Sequence, residues 1–308
     1  MYMRLTIWRF IFLVIIPSFV DAQPIYTGKE EVELLNTIET KHCFISYVKI
    51  NGTVYLLKQK KDYKKQLAVV RDALAAYVAE KLNIAHLVDV INANENFPGK
   101  IKPQWPATLH TLAPGETVRK LRQCKYNALR LRQFWAQAQS FDEKGITKSI
   151  IEQMTWHRQI PEIIALDLII GNSDRHCGNL CYDAQTNKFC AIDMDDTFNK
   201  DLCLLAYQKF QHMLATENIV FTKAEIRALT YMRNTLMFLM QQHKPQDLIH
   251  KLYFFAQKAG FCKGNKIYNN RIQRKLLSYE LMIIQTYTSA HKLISLLNKI
   301  IAYKCAVK

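Results

Sequence analysis

The chain has 308 residues, of which 49% are hydrophobic, and it carries 42 Lys and Arg against 26 Asp and Glu. The apolar content excludes a disordered chain, and the lack of a sustained heptad excludes a coiled coil. A chain of this length can bury a large core and form one large domain or two lobes. The formal charge of +16 indicates an anionic partner: phosphate, nucleic acid or an acidic membrane surface.

The first 22 residues are typical of a signal peptide. Arg4 and Arg9 precede an apolar run from Phe10 to Ile16, and Val20-Asp21-Ala22 is a small-x-small cleavage pattern. The apolar run is shorter than the roughly 20 residues that a membrane-spanning helix needs. A buried N-terminal helix or an uncleaved anchor is the alternative. The pattern favours an exported or secreted protein, such as an effector or a secretory-pathway enzyme.

Residues 23–118 are predicted to form a small β-sheet that carries one helix. Four segments with alternating or continuous apolar residues are its predicted strands: 44–50, 54–57, 87–91 and 107–112. Asn51 and Gly52 separate the first two strands and favour a tight hairpin turn. Apolar residues recur at helical spacing from Leu67 to Leu82, which predicts an amphipathic helix.

Residues 119–308 are predicted to form a larger, mainly helical lobe. One apolar helix runs to Ile170 and has Pro161 in its first turn, a position that suits proline. Thr222 and Glu225 form a capping box ahead of periodic apolar residues, which marks the start of another helix. Two more helices and two short strands are predicted in this lobe: helices 246–260 and 271–303, and strands 180–182 and 189–192.

Two carboxylates and a carboxamide around the predicted strand pair carry the chemistry of the sequence. Asp174 and Asn179, five residues apart, lie in a loop after the apolar helix, and Asp193 ends the hairpin that follows. Oxygen ligands of this kind suit a Mg²⁺ ion that also holds phosphate oxygens. Asp174 is then available to accept a proton from an attacking hydroxyl group. A cation must also bind the phosphates, and Lys58 is the candidate, with Asp72 in the next helix as its partner.

The loop Gly-Asn-x-Asp-Arg-His-x-x-Asn (171–179) and the segment Ala-Ile-Asp-x-x-x-x-Phe (191–198) resemble those of atypical kinases. This superfamily includes the phosphatidylinositol 3-/4-kinases, the HipA-like kinases and the secretory-pathway Golgi kinases. The resemblance implies an α+β, two-lobed protein-kinase-like fold with a small β-rich N-terminal lobe and a larger α-helical C-terminal lobe. It also implies an enzyme that transfers the γ-phosphoryl group of ATP with the help of Mg²⁺ or Mn²⁺.

The resemblance also implies which residues hold the metal and act on the substrate. Asp174 is the catalytic residue, while His176 contacts the transferred phosphoryl group or stabilises the loop. Asn179 and Asp193 are the metal ligands. Asp195, where many relatives have glycine, is a further metal ligand or an unrelated surface acid.

The nucleotide site is implied by the same resemblance. Lys58 binds the ATP phosphates, Asp72 stands where the family has a helix glutamate, and Leu109 lines the nucleotide pocket. Nearby residues are alternative candidates for these roles: Lys60, Lys61 and Glu80. The segment 37–42, which is expected to cover the phosphates, contains no glycine. Side chains of this segment are expected to substitute for backbone contacts: Thr40, Lys41 or His42.

Three of the eight cysteines surround the predicted catalytic loop and raise the question of a zinc site. Cys177, Cys181 and Cys190 lie close in sequence to His176. Their spacing lacks the CxxC pair typical of structural zinc, and they fall on a loop and two apolar strands. The pattern therefore favours buried thiols or one disulfide over a metal site.

Residues 251–308 form a basic tail, in which eleven Lys and Arg stand against the single acid Glu280. Such a helical surface is expected to dock an anionic lipid head group or an inositol phosphate, or else to be a solvated helix face. Nucleic acid is a weak third choice, since the sequence has none of the recognition motifs. The apolar residues of the tail are expected to pack in the core: Leu276, Leu277, Leu281, Ile284, Leu293, Leu296 and Leu297.

The leading hypothesis is a kinase that phosphorylates a protein Ser or Thr. A phosphoinositide is the alternative substrate, but the longer activation segment of the lipid kinases is not identifiable around residues 199–207. A different class of function is a catalytically silent kinase fold that binds anions or membranes. Nucleotidyl transfer on the same scaffold is a third possibility.

Overall fold

The computed structural model describes the following residues: 25–62, 65–82, 84, 87–102, 104–121, 146–216, 219–263, 266–267 and 269–306. The predicted signal peptide, residues 1–22, lies outside the described residues and stays a prediction. None of the helices in the described part of the chain combines the length and hydropathy that crossing a membrane requires.

An antiparallel sheet of five strands forms the N-terminal lobe, with the strand order β1-β2-β3-β5-β4. Its strands are β1 (Val32–Glu39), β2 (Cys43–Ile50), β3 (Thr53–Lys60), β4 (Val88–Ile91) and β5 (Ala107–Thr111). Asn51 and Gly52 have φ values of 47° and 84°, the left-handed pair that a tight hairpin turn needs. The predicted hairpin is therefore confirmed.

The edge strand β1 was not predicted from the sequence. It pairs with β2 alone, and most of its residues are exposed. An edge strand with little buried surface has no alternation of polar and apolar residues by which a sequence could reveal it. The segment expected to cover the phosphates, residues 37–42, consists of the last three residues of β1 and the three residues that join it to β2.

Helix α1 (Ala68–Ala79) follows β3 and packs on one face of the sheet, as the apolar spacing predicts. A turn of 3₁₀ helix (Glu80–Leu82) extends it. Ten of its twelve residues are buried, and one of these is the carboxylate of Asp72. A buried carboxylate in such a helix requires a nearby partner.

The C-terminal lobe is mainly helical, as predicted. Its helices are α2 (Lys148–Met154), α3 (Gln159–Ile170), α4 (Leu202–Thr216), α5 (Lys223–Gln242), α6 (Pro245–Lys258) and α7 (Asn270–Ala306). Short strands complete the lobe: β6 (Glu116–Thr117), β7 (Leu180–Asp183), β8 (Lys188–Ala191), β9 (Cys262–Lys263) and β10 (Lys266–Ile267). The capping box of Thr222 and Glu225 is present at the start of α5. Helix α3 is almost entirely buried and packs against α5 at the centre of the large core.

Strand β6 belongs to the C-terminal lobe rather than to the N-terminal sheet. It pairs with β7 in a three-stranded sheet of order β6-β7-β8. Residues 116–117 were expected within the N-terminal lobe, whose sheet ends at Thr111 instead. The chain therefore runs directly from the N-terminal sheet into the hairpin beside the catalytic loop.

The expectation that the whole apolar stripe of α7 packs in the core is wrong. Three of these residues are buried: Leu276, Leu293 and Leu297. Three others are between 44% and 59% exposed: Leu277, Leu281 and Ile284. At about 100° per residue they lie on the other side of the helix, so one stripe cannot include both groups.

Gly171 ends α3 and starts the loop that holds the predicted catalytic residue. It adopts the left-handed conformation, with φ 62° and ψ 37°, which a residue with a side chain adopts at a cost. A Cβ atom there would lie 2.4 Å from the carbonyl oxygen of Lys200. Glycine is therefore required both by the backbone conformation and by the close approach of the segment before α4.

We predict that Gly171→Ala lowers the free energy of unfolding by about 2–4 kcal/mol, from left-handed strain plus overlap with Lys200. Gly52→Ala is the matched control, because Gly52 has a positive φ but nothing within 4 Å of the added Cβ. Its cost should be only about 1–2 kcal/mol. Urea denaturation of both variants tests this, and equal losses would contradict the role of the overlap.

Candidate active site

Lys58 lies near the end of β3, in the interior of the N-terminal sheet. It stands opposite Ile45 of β2 and Thr108 of β5. Successive side chains of a strand point to opposite faces, so Leu57 enters a small apolar core while Lys58 faces α1. Only 8% of Lys58 is exposed. A lysine buried to this degree needs carboxylate partners.

The partners of Lys58 come from the segment that follows β8. Its Nζ donates to Asp193 and lies 2.7 Å from Oδ2 of Asp195. Lys60 pairs with Asp195 from the same strand. Burial lowers the pKa of the Lys58 ammonium, but the carboxylates outweigh it and raise the pKa well above its usual value. Lys58 is therefore charged, and it ties the N-terminal sheet to the Asp193 segment.

Asp195 is not the unrelated surface acid that the sequence left as one alternative, whereas its role as a further metal ligand stays a prediction. Its carboxylate is largely buried and is held between Lys58 and Lys60. Burial raises its pKa, but the two ammonium groups outweigh that effect and lower it. The residue positions both lysines rather than standing as an isolated surface acid.

Asp72 completes the cluster from the α1 side. It is 1% exposed, and within the described structure neither carboxylate oxygen accepts a hydrogen bond. His110 Nε2 lies 3.4 Å from Asp72 Oδ2 and 2.7 Å from Thr108 Oγ1. Burial raises the pKa of Asp72, although the charge of Lys58 opposes the shift. Asp72 thus belongs to the Lys58 site, whereas no contact in the described part of the chain links its rival Glu80 to Lys58.

The loop after α3 is held by its own side chains. Asn172 Nδ2 donates to Asp167 Oδ1 at 3.0 Å, and the Asp174 N–H donates to Asn172 Oδ1 at 3.1 Å. Asn179 Nδ2 then donates to the backbone oxygen of Asp174 at 3.0 Å and to its Oδ2 at 3.3 Å. The amide of Asn179 therefore orients the carboxylate of Asp174, which is itself exposed.

Arg175 is buried beneath this loop. Its Nε lies 3.1 Å from Asp167 Oδ2 and its Nη2 lies 3.0 Å from Asp167 Oδ1. Its Nη1 donates to the carbonyl oxygens of Asn179 and Ile192. One guanidinium thus joins α3, the catalytic loop and the strand that leads to Asp193. Burial raises the pKa of Asp167, and the charge of Arg175 opposes that shift.

Asn179 and Asp193, whose role as metal ligands stays a prediction, lie on neighbouring segments. The Ile192 N–H donates to the Asn179 carbonyl at 3.1 Å, so the two residues lie on adjacent segments. Asp193 has φ 53°, a left-handed conformation that Asp tolerates better than most residues, and 44% of its side chain is exposed. Amide and carboxylate oxygens are ligands that Mg²⁺ prefers. Asp193 already binds a cation, the ammonium of Lys58, so this donor set fits a divalent metal.

Three further residues were predicted to contact the nucleotide or the transferred phosphoryl group: His176, Thr40 and Leu109. His176 Nδ1 accepts a hydrogen bond from the Gly178 N–H at 3.0 Å, so the ring stabilises the loop through that nitrogen. The Thr40 hydroxyl and the Cys43 backbone bond to each other within the β1–β2 turn. Leu109 is fully buried on the face of the sheet opposite Lys58. Leu109 therefore does not line the site, and its neighbours Thr108 and His110 do so instead.

The cysteines near His176 are buried thiols. Cys177, Cys181 and Cys190 are all free. Cys181 and Cys190 stand opposite each other on β7 and β8, and burial raises the pKa of both. Among the described residues, no group of three His, Cys, Asp or Glu side chains is arranged to hold a metal. The described structure therefore gives no support to the zinc alternative.

Sequence reasoning missed Asp167 as a member of the site. The signal was present, because Asp167 is an isolated charge within the apolar run from Ile163 to Ile170. A carboxylate in a helix that is apolar on all sides will be buried, and a buried carboxylate needs a charged partner. Nothing in the sequence singles out Arg175 as that partner.

We predict that Arg175→Met lowers the free energy of unfolding by about 3–5 kcal/mol, because Asp167 then remains buried without its counter-ion. Adding Asp167→Leu to Arg175→Met should recover part of that loss. Urea denaturation of the two single variants and the double variant measures the coupling. A single-variant cost below about 1 kcal/mol would indicate that the pair behaves like an exposed ion pair.

Comparison with known proteins agrees with this arrangement. The model of the phosphatidylinositol 3- and 4-kinase family matches residues 59–252. This range includes Asp72, Asp174, Asn179 and Asp193, and it begins one residue after Lys58. No curated protein sequence matches the chain significantly.

Two solved structures are similar over most of the chain. The proinflammatory kinase CtkA of Helicobacter pylori has 10% sequence identity and a TM-score of 0.47, over 88% of this chain and 97% of CtkA. HipA, from the HipA–HipB–operator DNA complex of Shewanella oneidensis MR-1, has 8% identity and a TM-score of 0.44, over 92% of this chain and 68% of HipA. The family match alone spans more than half of the 308 residues. The chain has an α+β, two-lobed fold and belongs to the phosphatidylinositol 3- and 4-kinase family, within the atypical kinase superfamily.

Proposed function

We propose that the protein transfers the γ-phosphoryl group of ATP to a hydroxyl group, with Asp174 as the catalytic residue. The observation that carries this proposal is that three parts of the chain meet at one place: strand β3, the loop after α3 and the segment after β8. Lys58 from β3 binds Asp193, and the Asn179 amide orients the Asp174 carboxylate. Kinase reactions need these parts: a cation on the phosphates, oxygen ligands for metal and a carboxylate near the acceptor.

Asp174 is proposed to orient the acceptor hydroxyl group and to take its proton. Its carboxylate is accessible from solvent, while its backbone and one carboxylate oxygen are held by Asn179. Although exposed, Asp174 is partly shielded from water, and this partial burial raises its pKa, an effect that His176 opposes and Asp193 strengthens. A raised pKa makes the carboxylate a better proton acceptor than an ordinary surface aspartate.

His176 is proposed to donate to the transferred phosphoryl group through Nε2. Its Nδ1 accepts from the Gly178 N–H, so the neutral ring carries its proton on Nε2. The loop-stabilising bond and the contact with substrate use different nitrogens. Both alternatives for His176 can therefore hold at once.

Lys58 is proposed to bind the ATP phosphates, and Asn179 and Asp193 to hold the metal. A divalent ion bound there would neutralise charge on the phosphate oxygens. Lys58 pairs with Asp193 and Asp195 in this structure. Asp195 keeps the lysine in place when Asp193 takes another partner, because it holds both Lys58 and Lys60.

A protein Ser or Thr is proposed as the acceptor, with a phosphoinositide as the second candidate. The segment between Asp193 and the start of α4 at Leu202 has only eight residues, too few for the longer activation segment that the resemblance implies for lipid kinases. The family description, in contrast, names phosphatidylinositol kinases. Acceptor hydroxyls of both kinds therefore belong in the assay.

A catalytically silent kinase fold that binds anions is the candidate from a different class. It is favoured by the β1–β2 turn, which has no glycine and in which Thr40 bonds to Cys43 instead of remaining available for phosphate. This candidate predicts anion binding without transfer of label.

We predict that Lys58→Met weakens binding of Mg²⁺-ATP by about tenfold or more, because a buried charge-assisted contact with phosphate is lost. Lys61→Met is the matched control, since Lys61 pairs with Glu39 at the sheet edge. Isothermal titration calorimetry with a non-hydrolysable ATP analogue measures both affinities. Equal affinities of the two variants would remove Lys58 from the nucleotide site.

We predict that Asp174→Asn lowers phosphotransfer by about 10²- to 10⁴-fold, the range for loss of a general base. The assay uses γ-labelled ATP, Mg²⁺ or Mn²⁺, and two acceptors: generic protein and phosphoinositide vesicles. Glu152→Asn, on the exposed face of α2, is the control and should keep full activity. α-labelled ATP separates phosphoryl from nucleotidyl transfer, and wild-type protein that binds ATP but transfers no label would support the silent fold.

The pH profile provides an independent test of Asp174. The base acts in its ionised form, so the rate is present above its pKa and is lost as the pH falls through that value. Because burial raises the pKa of Asp174, the acid limb should begin at a higher pH than the usual Asp value of about 3.9. A rate that stays flat down to that value would contradict a base with a raised pKa.

A further inference from the structure

A cavity lies beside the proposed active site, between the two lobes. It has a volume of about 270 Å³, near the lower end of the range of about 300–1,000 Å³ for small-molecule sites. Three separate segments line it: the start of α1, the residues after Asp193 and the first turns of α7. Its lining residues include Lys65, Arg71, Asp196, Arg271, Lys275 and Tyr279.

The residues that line this cavity carry far more positive than negative charge. Lys65 and Arg71 face Arg271 and Lys275 across it, against the single carboxylate of Asp196. Asp196 already accepts from Asn199 Nδ2 at 2.6 Å and lies 3.6 Å from Arg71 Nη1. In the described structure, no ion pair joins the other three cations to a carboxylate. Lys65, Arg271 and Lys275 are exposed, so water screens part of their mutual repulsion, but four cations around one small space still favour the entry of an anion.

Arg71 is the best-held of these cations. Its Nη1 donates to the carbonyl oxygen of Thr197 at 3.2 Å, and its guanidinium lies 5.4 Å from the ring centre of Tyr279. Its Nε is buried and has no hydrogen-bond partner among the described residues. A guanidinium with a donor still unsatisfied is suited to a phosphate oxygen.

The cavity is distinct from the site of phosphoryl transfer. None of Asp174, Asn179 or Asp193 lines it. It is nevertheless coupled to that site, because Arg71 precedes Asp72 on α1 and bonds to the segment that follows Asp193. A ligand bound there would link α1, the segment 196–199 and α7.

We infer that this cavity is an effector site for a phosphate monoester, such as the phosphates of an inositol phosphate. The dianion is held by Arg71 and Lys65 from one side and by Arg271 and Lys275 from the other. The ligand serves as a counter-ion that joins the lobes and is not the acceptor of the phosphoryl group. The same chemistry is offered by a free inositol phosphate and by a phosphorylated lipid head group.

The cations of the basic tail lie on two different surfaces. Arg271 and Lys275 line the cavity, whereas Lys292 and Lys299 are exposed farther along α7 and lie outside it. Lys258 is paired with Asp89 of β4. Only part of the positive charge of the tail is therefore available at the cavity.

The test measures binding of inositol trisphosphate to the full-length protein by isothermal titration calorimetry, with unphosphorylated inositol as the blank. We expect Arg271→Gln/Lys275→Gln to weaken binding by about tenfold or more, since two charge-assisted contacts are lost. Lys292→Gln/Lys299→Gln removes the same charge from the same helix and should change the affinity by less than about twofold, through long-range screening alone. Thermal unfolding of both double variants confirms that they are folded.

Flotation with phosphatidylcholine vesicles that contain a phosphatidylinositol monophosphate distinguishes the two sources. Calorimetric binding and flotation that are both sensitive to Arg271 and Lys275 identify the shared phosphate chemistry. Flotation alone assigns the site to the lipid head group. Absence of both, or equal losses in the two double variants, would overturn the inference. These measurements are independent of catalysis, so a protein that transfers no label can still confirm the effector site.

Discussion

The ammonium group of Lys58 is the interaction on which the rest of the site depends. It lies in the interior of the N-terminal sheet, 8% exposed, and reaches the carboxylates of Asp193 and Asp195 in the other lobe. A buried charge of this kind is tolerated only with its partners in place. The same contact therefore stabilises the arrangement of the lobes and defines where a polyanionic ligand can replace one carboxylate. The arrangement of the lobes and the proposed chemistry therefore both depend on the ammonium group of Lys58.

A second buried ion pair, between Arg175 and Asp167, stabilises the loop that carries Asp174 and Asn179. Arg175 and Asp167 hold the catalytic loop against α3, and the same guanidinium binds the carbonyls of Asn179 and Ile192. Asp174 is thus exposed while its loop is held by buried hydrogen bonds. A functional carboxylate on a loop supported by a packed helix is better positioned than one that depends on the loop alone. Arg175 is buried and has a structural role, whereas Asp174 is exposed and is the residue proposed to be functional.

A feature of the fold or of the site could be predicted from the sequence when its residues lie within one short stretch of the chain. The loop 171–179 and Asp193 were predictable, because each lies in a short motif at the end of a strongly apolar element. The helical spacing around Asp72 was equally readable, but its choice over Glu80 required the position of Lys58 in space. Leu109 was placed wrongly, since the face to which a strand residue points depends on pairing register. The pairing of Lys60 with Asp195 and the cavity between α1 and α7 unite residues more than 130 positions apart, which no local pattern reveals.

The most direct measurement is a crystal structure of the protein with Mg²⁺ and a non-hydrolysable ATP analogue. We expect Lys58 to contact the nucleotide phosphates and to give up Asp193, which joins Asn179 as a metal ligand, while Asp195 retains Lys60. We also expect Asp174 to stay free of the metal and to face the γ-phosphate. A nucleotide bound elsewhere, with the contact between Lys58 and Asp193 intact, would contradict the account.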